Sequence, residues 1–208
     1  MHDDPAKPAP RALGVILGGG RGQRMGGDKN LALLAGRPLV AHAIERLRPQ
    51  CARLVLNINA DAAAFARFAL PIAPDAAPGF PGPLAGILAG MEWAARADLP
   101  DIVTLPTDTP FAPRDLVARL YAARAQTGAQ IAVAGSGGRM HPVAALWPSA
   151  LAPQLRRALY EEDLRKVGRF VERFAPAVAD WPATPFDPFF NVNTPQDLLE
   201  AEQIAARL

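Results

Sequence analysis

Lys29 closes the run Leu13 to Lys29, LGVILGGGRGQRMGGDK, in which an apolar segment empties abruptly into Gly18, Gly19 and Gly20. Consecutive glycines have no Cβ, so an anion can approach their backbone N–H groups closely. Arg21, Arg24 and Lys29 add positive charge to the same stretch. These residue types together make a cradle for the phosphates of a nucleotide. Two well-known phosphate loops do not fit. A Walker A loop needs Gly-Lys followed by Ser or Thr, whereas Lys29 follows Asp28 and precedes Asn30. A dinucleotide fingerprint needs a glycine at its sixth position, where Gln23 or Met25 stands, depending on the starting glycine. A flexible glycine linker is the competing reading. It does not explain three cations directly after a buried strand.

Asp108 stands in Pro106-Thr107-Asp108-Thr109-Pro110, directly after the apolar run Asp101 to Leu105. A carboxylate there can hold Mg²⁺ against triphosphate oxygens, because magnesium prefers one or two carboxylates completed by phosphates and water. An aspartate in this setting also caps turns. Asn57 offers an amide donor and an acceptor, suited to a base or a ribose. Asn191 and Asn193 are two residues apart, so in an extended segment both point to one face. His141, before Pro142, reads either as a ligand contact or as a structural histidine. No Ser/His/Asp arrangement is legible, so covalent nucleophilic catalysis is not supported.

Positioning these groups requires strands that alternate with helices. Leu13 to Leu17 reads as the first strand, and Pro38 to Leu47 as a helix that buries Leu39, Val40, Ala43, Ile44 and Leu47. Arg53 to Asn59 follows as a strand, and Asp61 as the N-cap of a short helix. A brief strand is expected at Leu70 to Ala73, before the proline-dense loop Pro74 to Pro83. Next come a helix from Leu84 to Arg96, a buried strand from Asp101 to Leu105, and a helix opened by Pro113. Gln130 to Ala134 reads as a strand that Gly135 to Gly138 turns back into Pro142 to Trp147 as a hairpin. The last third predicts helices at Leu151 to Leu159 and Leu164 to Phe174, then a strand at Ala177 to Trp181. A final helix runs from Pro195 to Leu208 with Thr194 as its cap. The alternation predicts an α/β fold with a mostly parallel central sheet flanked by helices. Ligands of such sheets bind beyond the carboxyl ends of the strands, where the glycine loop, Asn57 and Asp108 converge.

The 208 residues suit one domain over 11–208, with residues 1–10 read as a disordered arm. That arm carries two acids and no apolar core, so it is not a secretion signal, and a cytoplasmic protein is expected. A formal net charge of +2 gives no reason to expect nucleic acid as a partner. No apolar run approaches the length of a membrane span. Cys51 is the only cysteine, which excludes an internal disulfide and a cysteine-based metal cluster. Of 22 basic residues only Lys7, Lys29 and Lys166 are lysines, which suggests that a compact point charge is wanted in the phosphate loop.

The loop resembles the nucleotidyltransferase signature L-x-G-G-x-x-x-R-M-G-x-D-K, standing here as Leu17-Gly18-Gly19-Gly20, Arg24-Met25-Gly26 and Asp28-Lys29. The resemblance is greatest to the molybdenum cofactor guanylyltransferases. It continues through Gly36-Arg37-Pro38-Leu39, Pro81 to Gly86, Pro106 to Pro110, His141-Pro142 and Asn191 to Pro195. It implies a Rossmann-like nucleotidyltransferase fold and Mg²⁺-dependent transfer of GMP from GTP to the terminal phosphate of molybdopterin, with or without its molybdenum. Pyrophosphate would leave, and the nucleophile would be the substrate's own phosphate. Upstream cofactor-biosynthesis proteins and acceptor molybdoenzymes would be partners. The matching positions for GTP are Leu17, Gly18, Gly19, Gly20, Lys29, Asn57, Asp75 and Asp108. Lys29, Asp108 and Arg24 are the expected catalytic residues, with Asp108 the metal ligand. Arg21 and Arg24 are candidate phosphate clamps, against a reading as solvated loop arginines. Asp75 can accept the guanine N1 and N2 hydrogens, or serve as a turn former. His141, Asn191 and Asn193 are expected on the molybdopterin or metal side. Relatives that use CTP tend to read L-A-A-G with glutamine before the later proline. Gly19 and Thr109 therefore favour guanine over a cytidylyltransferase, and intact Lys29 and Asp108 speak against a non-catalytic nucleotide carrier or sensor.

Overall fold

The computed structural model describes residues 12–18, 29–59, 61–75 and 82–208. The expected disordered arm, Gly19, Gly20, Arg21 and Arg24 lie outside the described residues, as does most of the proline-dense loop. The first strand, β1 (Ala12–Leu17), is buried at every position. It carries apolar side chains on both faces because helices cover the sheet on both sides. A 3₁₀ turn (Lys29–Leu31) and a two-residue hairpin of β2 (Leu33–Leu34) and β3 (Arg37–Pro38) lead into α1 (Leu39–Leu47). Then come β4 (Arg53–Asn57), a 3₁₀ segment (Ala62–Phe68), α2 (Pro83–Arg96), β5 (Asp101–Pro106) and α3 (Leu116–Thr127). The chain continues through β6 (Ala132–Ser136), β7 (Arg139–Pro148), α4 (Ala152–Tyr160), α5 (Val167–Glu172), β8 (Ala177–Trp181) and α6 (Pro195–Ala205).

The six-stranded sheet has the order β4-β1-β5-β7-β6-β8. Its strands run parallel except β7, which pairs antiparallel with both neighbours. The mostly parallel α/β architecture expected from the alternation is therefore the one observed. On one face Ile16, Leu56 and Leu105 pack with Val40 and Leu47 of α1 and Leu116 and Leu120 of α3. On the other, Leu13, Val15 and Leu17 pack with Ile87, Leu88 and Met91 of α2 and with Leu155 and Phe170 of α4 and α5. The five residues expected to be buried in α1 are buried. No helix among the described residues is long and apolar enough to cross a membrane.

Several boundaries differ from the expectations, and two of the differences shape the site. The strand expected at Gln130 to Ala134 occupies Ala132–Ser136. The reversal is confined to Gly137 and Gly138, with φ of +54° and +75°, the left-handed pair that a two-residue hairpin turn requires. Gly135 and Ser136 therefore belong to the strand. The strand expected at Leu70 to Ala73 is a single bridge between Leu56 and Ile72. It is held by Leu56 N–H to Pro71 O at 2.9 Å and Ala73 N–H to Leu56 O at 2.8 Å. β4 ends at Asn57, short of the expected Asn59. α3 starts three residues after Pro113, and α5 covers only the middle of the expected Leu164 to Phe174 helix.

Candidate functional site

Three parallel strands, β4, β1 and β5, end side by side, and the site grows from their carboxyl ends. The ladder runs one step further, through Gly18 N–H to Asn57 O at 2.8 Å and Thr107 N–H to Leu17 O at 3.1 Å. Asn30 then locks the returning chain against these ends. Its Nδ2 donates to Gly18 O at 3.0 Å and its Oδ1 accepts from Thr107 Oγ1 at 2.6 Å. Asn30 is only 5% exposed, so these bonds satisfy a polar group that burial would otherwise penalise. The consequence is a fixed starting point for Lys29 at the mouth of the sheet.

From there Lys29 Nζ donates to Asp108 Oδ2 at 2.8 Å and to Asn193 Oδ1 at 2.7 Å. Asn193 reaches this place because Val192 N–H donates to Asp108 O at 2.9 Å while the Val192 side chain is fully buried. The alternation then turns Asn191 and Asn193 outward together. The helix start behind them is a capping box: Asp197 N–H donates to Thr194 Oγ1, and Asp197 Oδ2 accepts from Thr194 N–H. The same carboxylate accepts from Asn193 N–H, the largest of the causes that hold its pKa below the usual range. Lys29, Asp108 and Asn193, expected to serve two different substrates, meet in one cluster.

Asn57 and Asp75 make a second cluster. Asn57 Nδ2 donates to Ala73 O at 3.0 Å and to Asp75 Oδ1 at 2.9 Å. Asn59 Nδ2 donates to Asp75 Oδ2 at 2.6 Å, and Asp75 N–H returns a bond to Asn59 Oδ1 at 3.0 Å. The Leu56–Ile72 bridge brings these residues together. Both Asn57 amide hydrogens are spent on this work, so Asn57 positions Asp75 and has only its oxygen left for other contacts. Each Asp75 oxygen accepts one of these amide bonds and keeps acceptor capacity for a ligand. Gly86 at the start of α2 is part of the same arrangement, because a Cβ there would stand 2.0 Å from Asn57 Oδ1.

Between the clusters lies a cleft of about 280 Å³, bordered by Leu17, Asn57, Asp108, Arg139, His141 and Asn191 among others. His141 stacks on Phe189 at 4.7 Å, and its Nε2 is 2.7 Å from Ser136 Oγ. Ser136 Oγ also donates to Asp187 Oδ1 at 2.7 Å. A serine, a histidine and an aspartate do therefore meet, contrary to the sequence reading. The serine stands in the middle, however, is 1% exposed and gives its proton to the carboxylate, so it is no nucleophile. Burial, the largest cause, lowers the His141 pKa from 6.5; Arg139 lowers it too, while Asp187 and Asp180 oppose.

Asn30, Asn59, Ser136, Arg139 and Asp187 escaped the sequence reading. Asn59 had a usable signal, since it lies two residues beyond Asn57 on the same face of an extended segment. Asn30 adjoins Lys29. The pairing of Ser136 with Asp187 spans 51 positions and leaves no local trace.

Residues 14–176 match the family model of the MobA-like NTP transferase domain. A Rhodopseudomonas palustris protein named molybdenum cofactor guanylyltransferase is 55% identical over all of this chain and 98% of its own length. A Rhizobium meliloti protein of the same name is 46% identical over 90% of this chain and 89% of its own length. Among solved structures, the molybdopterin-guanine dinucleotide biosynthesis protein A of Archaeoglobus fulgidus superposes with a TM-score of 0.72 at 26% identity, covering 94% of this chain and 100% of that one. The 2-C-methyl-D-erythritol 4-phosphate cytidylyltransferase of Thermus thermophilus, at 20% identity, TM-score 0.65 and 92% and 98% coverage, shares the fold. With the strand-end cluster of Lys29 and Asp108 in place and the family model spanning most of its length, the chain belongs to the MobA-like NTP transferases.

Proposed function

We propose that this chain transfers GMP from GTP to the terminal phosphate of molybdopterin, forming the guanine dinucleotide cofactor and releasing pyrophosphate. The observation that carries this reading is the meeting of Lys29, Asp108 and Asn193 beside the Asp75 clamp, in a chain whose relatives carry the guanylyltransferase name. Asp75, held by the Asn57 and Asn59 amides, accepts the neighbouring N1–H and N2–H of guanine. Adenine and cytosine present no such pair of adjacent donors, so the clamp selects the base.

Asp108 gives Oδ2 to Lys29, which leaves Oδ1 for a cation, and Asn191, whose side chain carries an amide oxygen, borders the same cleft. No group of three or more His, Cys, Asp or Glu side chains that could hold a metal occurs among the described residues. One carboxylate with an amide suits Mg²⁺, which takes its other ligands from phosphate and water. The ion, when bound, screens the triphosphate and polarises the α-phosphate. Lys29 stabilises the charge that develops as pyrophosphate leaves, a task of positioning and electrostatics rather than covalent chemistry. A new bond forms between the acceptor phosphate oxygen and the α-phosphorus. The bond from that phosphorus to the β-bridging oxygen breaks, its electron pair departing with pyrophosphate.

Thermal stabilisation by GTP, CTP and ATP, each with Mg²⁺, tests the base, and dinucleotide formation from molybdopterin tests the transfer. Equal shifts with all three nucleotides, or no guanine dinucleotide product, overturns the reading.

A further inference from the structure

We infer that Ser136 and Asp187 hold His141 as a hydrogen-bond acceptor for the acceptor substrate, with Nδ1 as the accepting atom. The inference rests on the transfer proposed above and assigns two positioning residues to it. The argument is a count of protons. Asp187 Oδ1 takes Phe189 N–H at 2.8 Å and Ser136 Oγ–H at 2.7 Å, and an ionised carboxylate only accepts. The single hydroxyl proton of Ser136 is thereby used. The contact at 2.7 Å between Ser136 Oγ and His141 Nε2 then needs its proton from the ring, so Nε2 carries the hydrogen. In the neutral imidazole Nδ1 is left as a lone pair.

The placement gives that lone pair a use. His141 borders the cleft that Asp108 and Asn191 also border, and stacking on Phe189 at 25° fixes the plane of the ring. Burial keeps the ring neutral near pH 7, with Asp187 and Asp180 opposing that shift and Arg139 adding to it. A neutral acceptor recognises an N–H or O–H donor and does not attract bare phosphate as an imidazolium would. The matching ligand class is a donor-rich heterocycle, such as the amino-substituted ring of a pterin. Ser136 and Asp187 touch no substrate themselves; they decide which face of the imidazole chemistry the cleft meets.

Two measurements test this. In ¹⁵N-labelled wild type, the His141 Nε2–H proton is expected to resist solvent exchange, as a buried hydrogen bond does, and to be lost in Ser136→Ala. The His42 Nε2–H, which donates to Leu34 O at 2.9 Å, serves as the internal control. An Nδ1–H tautomer in the wild type overturns the inference regardless of turnover, which separates it from failure of the proposed reaction.

The second measurement is steady-state transfer with molybdopterin varied at saturating GTP. His141→Phe, Ser136→Ala and Asp187→Ala should each raise the KM for molybdopterin about tenfold, the scale of one lost hydrogen bond, with GTP stabilisation unchanged. His141→Asn, whose side-chain oxygen can stand where Nδ1 stood, should recover much of that loss. His141→Gln, which reproduces only the Nε2 end, should not. A His141→Phe enzyme within twofold of wild type, or equal behaviour of the Asn and Gln variants, overturns the role assigned to Nδ1.

Discussion

Lys29 Nζ lies 2.8 Å from Asp108 Oδ2 across 79 positions of chain, and the pair is three-quarters or more buried at both side chains, with 15% and 22% exposure. The cation proposed for the leaving group and the carboxylate proposed for the metal are thus held together by direct contact. Each restrains the other's side chain, so less ordering remains for the ligand-bound state.

Asp108→Asn should keep the fold and lose turnover by about 10²-fold or more, the scale of removing one strong electrostatic contact from such a site. Lys29→Ala leaves the carboxylate without its partner, and the double variant should lose less than the two single losses multiplied together. Steady-state rates over a magnesium series, with melting temperatures alongside, check both statements. An Asp108→Asn enzyme within a few-fold of the parent would reduce Asp108 to a turn residue.

Gly86→Ala should weaken GTP although Gly86 lies on a buried helix face. Its new methyl group would be 2.0 Å from Asn57 Oδ1, so Asn57 must move and Asp75 loses a donor. Overpacking of this kind costs about 1–3 kcal/mol in stability. Differential scanning fluorimetry should show a lower melting temperature and a smaller GTP shift, and in an Asn57→Ala background the penalty should shrink.

Asp75→Asn replaces an acceptor pair by one acceptor and one donor. Calorimetry should show GTP binding weakened by about 1–3 kcal/mol, while weak ATP or CTP binding stays where it was. Equal loss for all nucleotides would make Asp75 a loop residue only.

Asn191→Ala and Asn193→Ala should now part company. Asn193 accepts from Lys29, so its loss should lower the transfer rate with saturating substrates. Asn191 borders the cleft, and its loss should act on molybdopterin affinity or the magnesium requirement. Single-turnover rates beside GTP calorimetry distinguish the two.

His141 makes stability depend on pH in a stated direction. Its folded pKa lies below 6.5, so between the two values the unfolded chain binds more protons. Its contribution is complete above pH 6.5 and is lost as the pH falls through the folded value. Denaturant unfolding at about pH 5 and pH 7.5 should therefore show a smaller difference in His141→Asn than in the wild type. An equal difference would mean that the ring titrates alike in both states.

Much of this molecule was decided locally and could be read from its residues. The two faces of β1, the buried stripe of α1, and the Thr194 cap follow from periodicity and from hydrogen bonds within a few residues. Lys29 and Asp108 were visible because strand ends and glycine runs mark where an open sheet binds ligands, and Asn191 and Asn193 because their spacing puts both on one face of an extended segment. Tertiary structure alone decided the partners. The bond from Lys29 to Asn193 spans 164 positions, and that from Ser136 to Asp187 spans 51. Such pairs have no period and no spacing, since they depend on which strands become neighbours and in what register. The extension of β6 to Ser136, set by its pairing with β7 and β8, put the hydroxyl beside His141. The Leu56–Ile72 bridge, a single pair beyond the main sheet, set Asp75 against Asn57 and engaged both hydrogens of an amide that the sequence offers as a ligand contact.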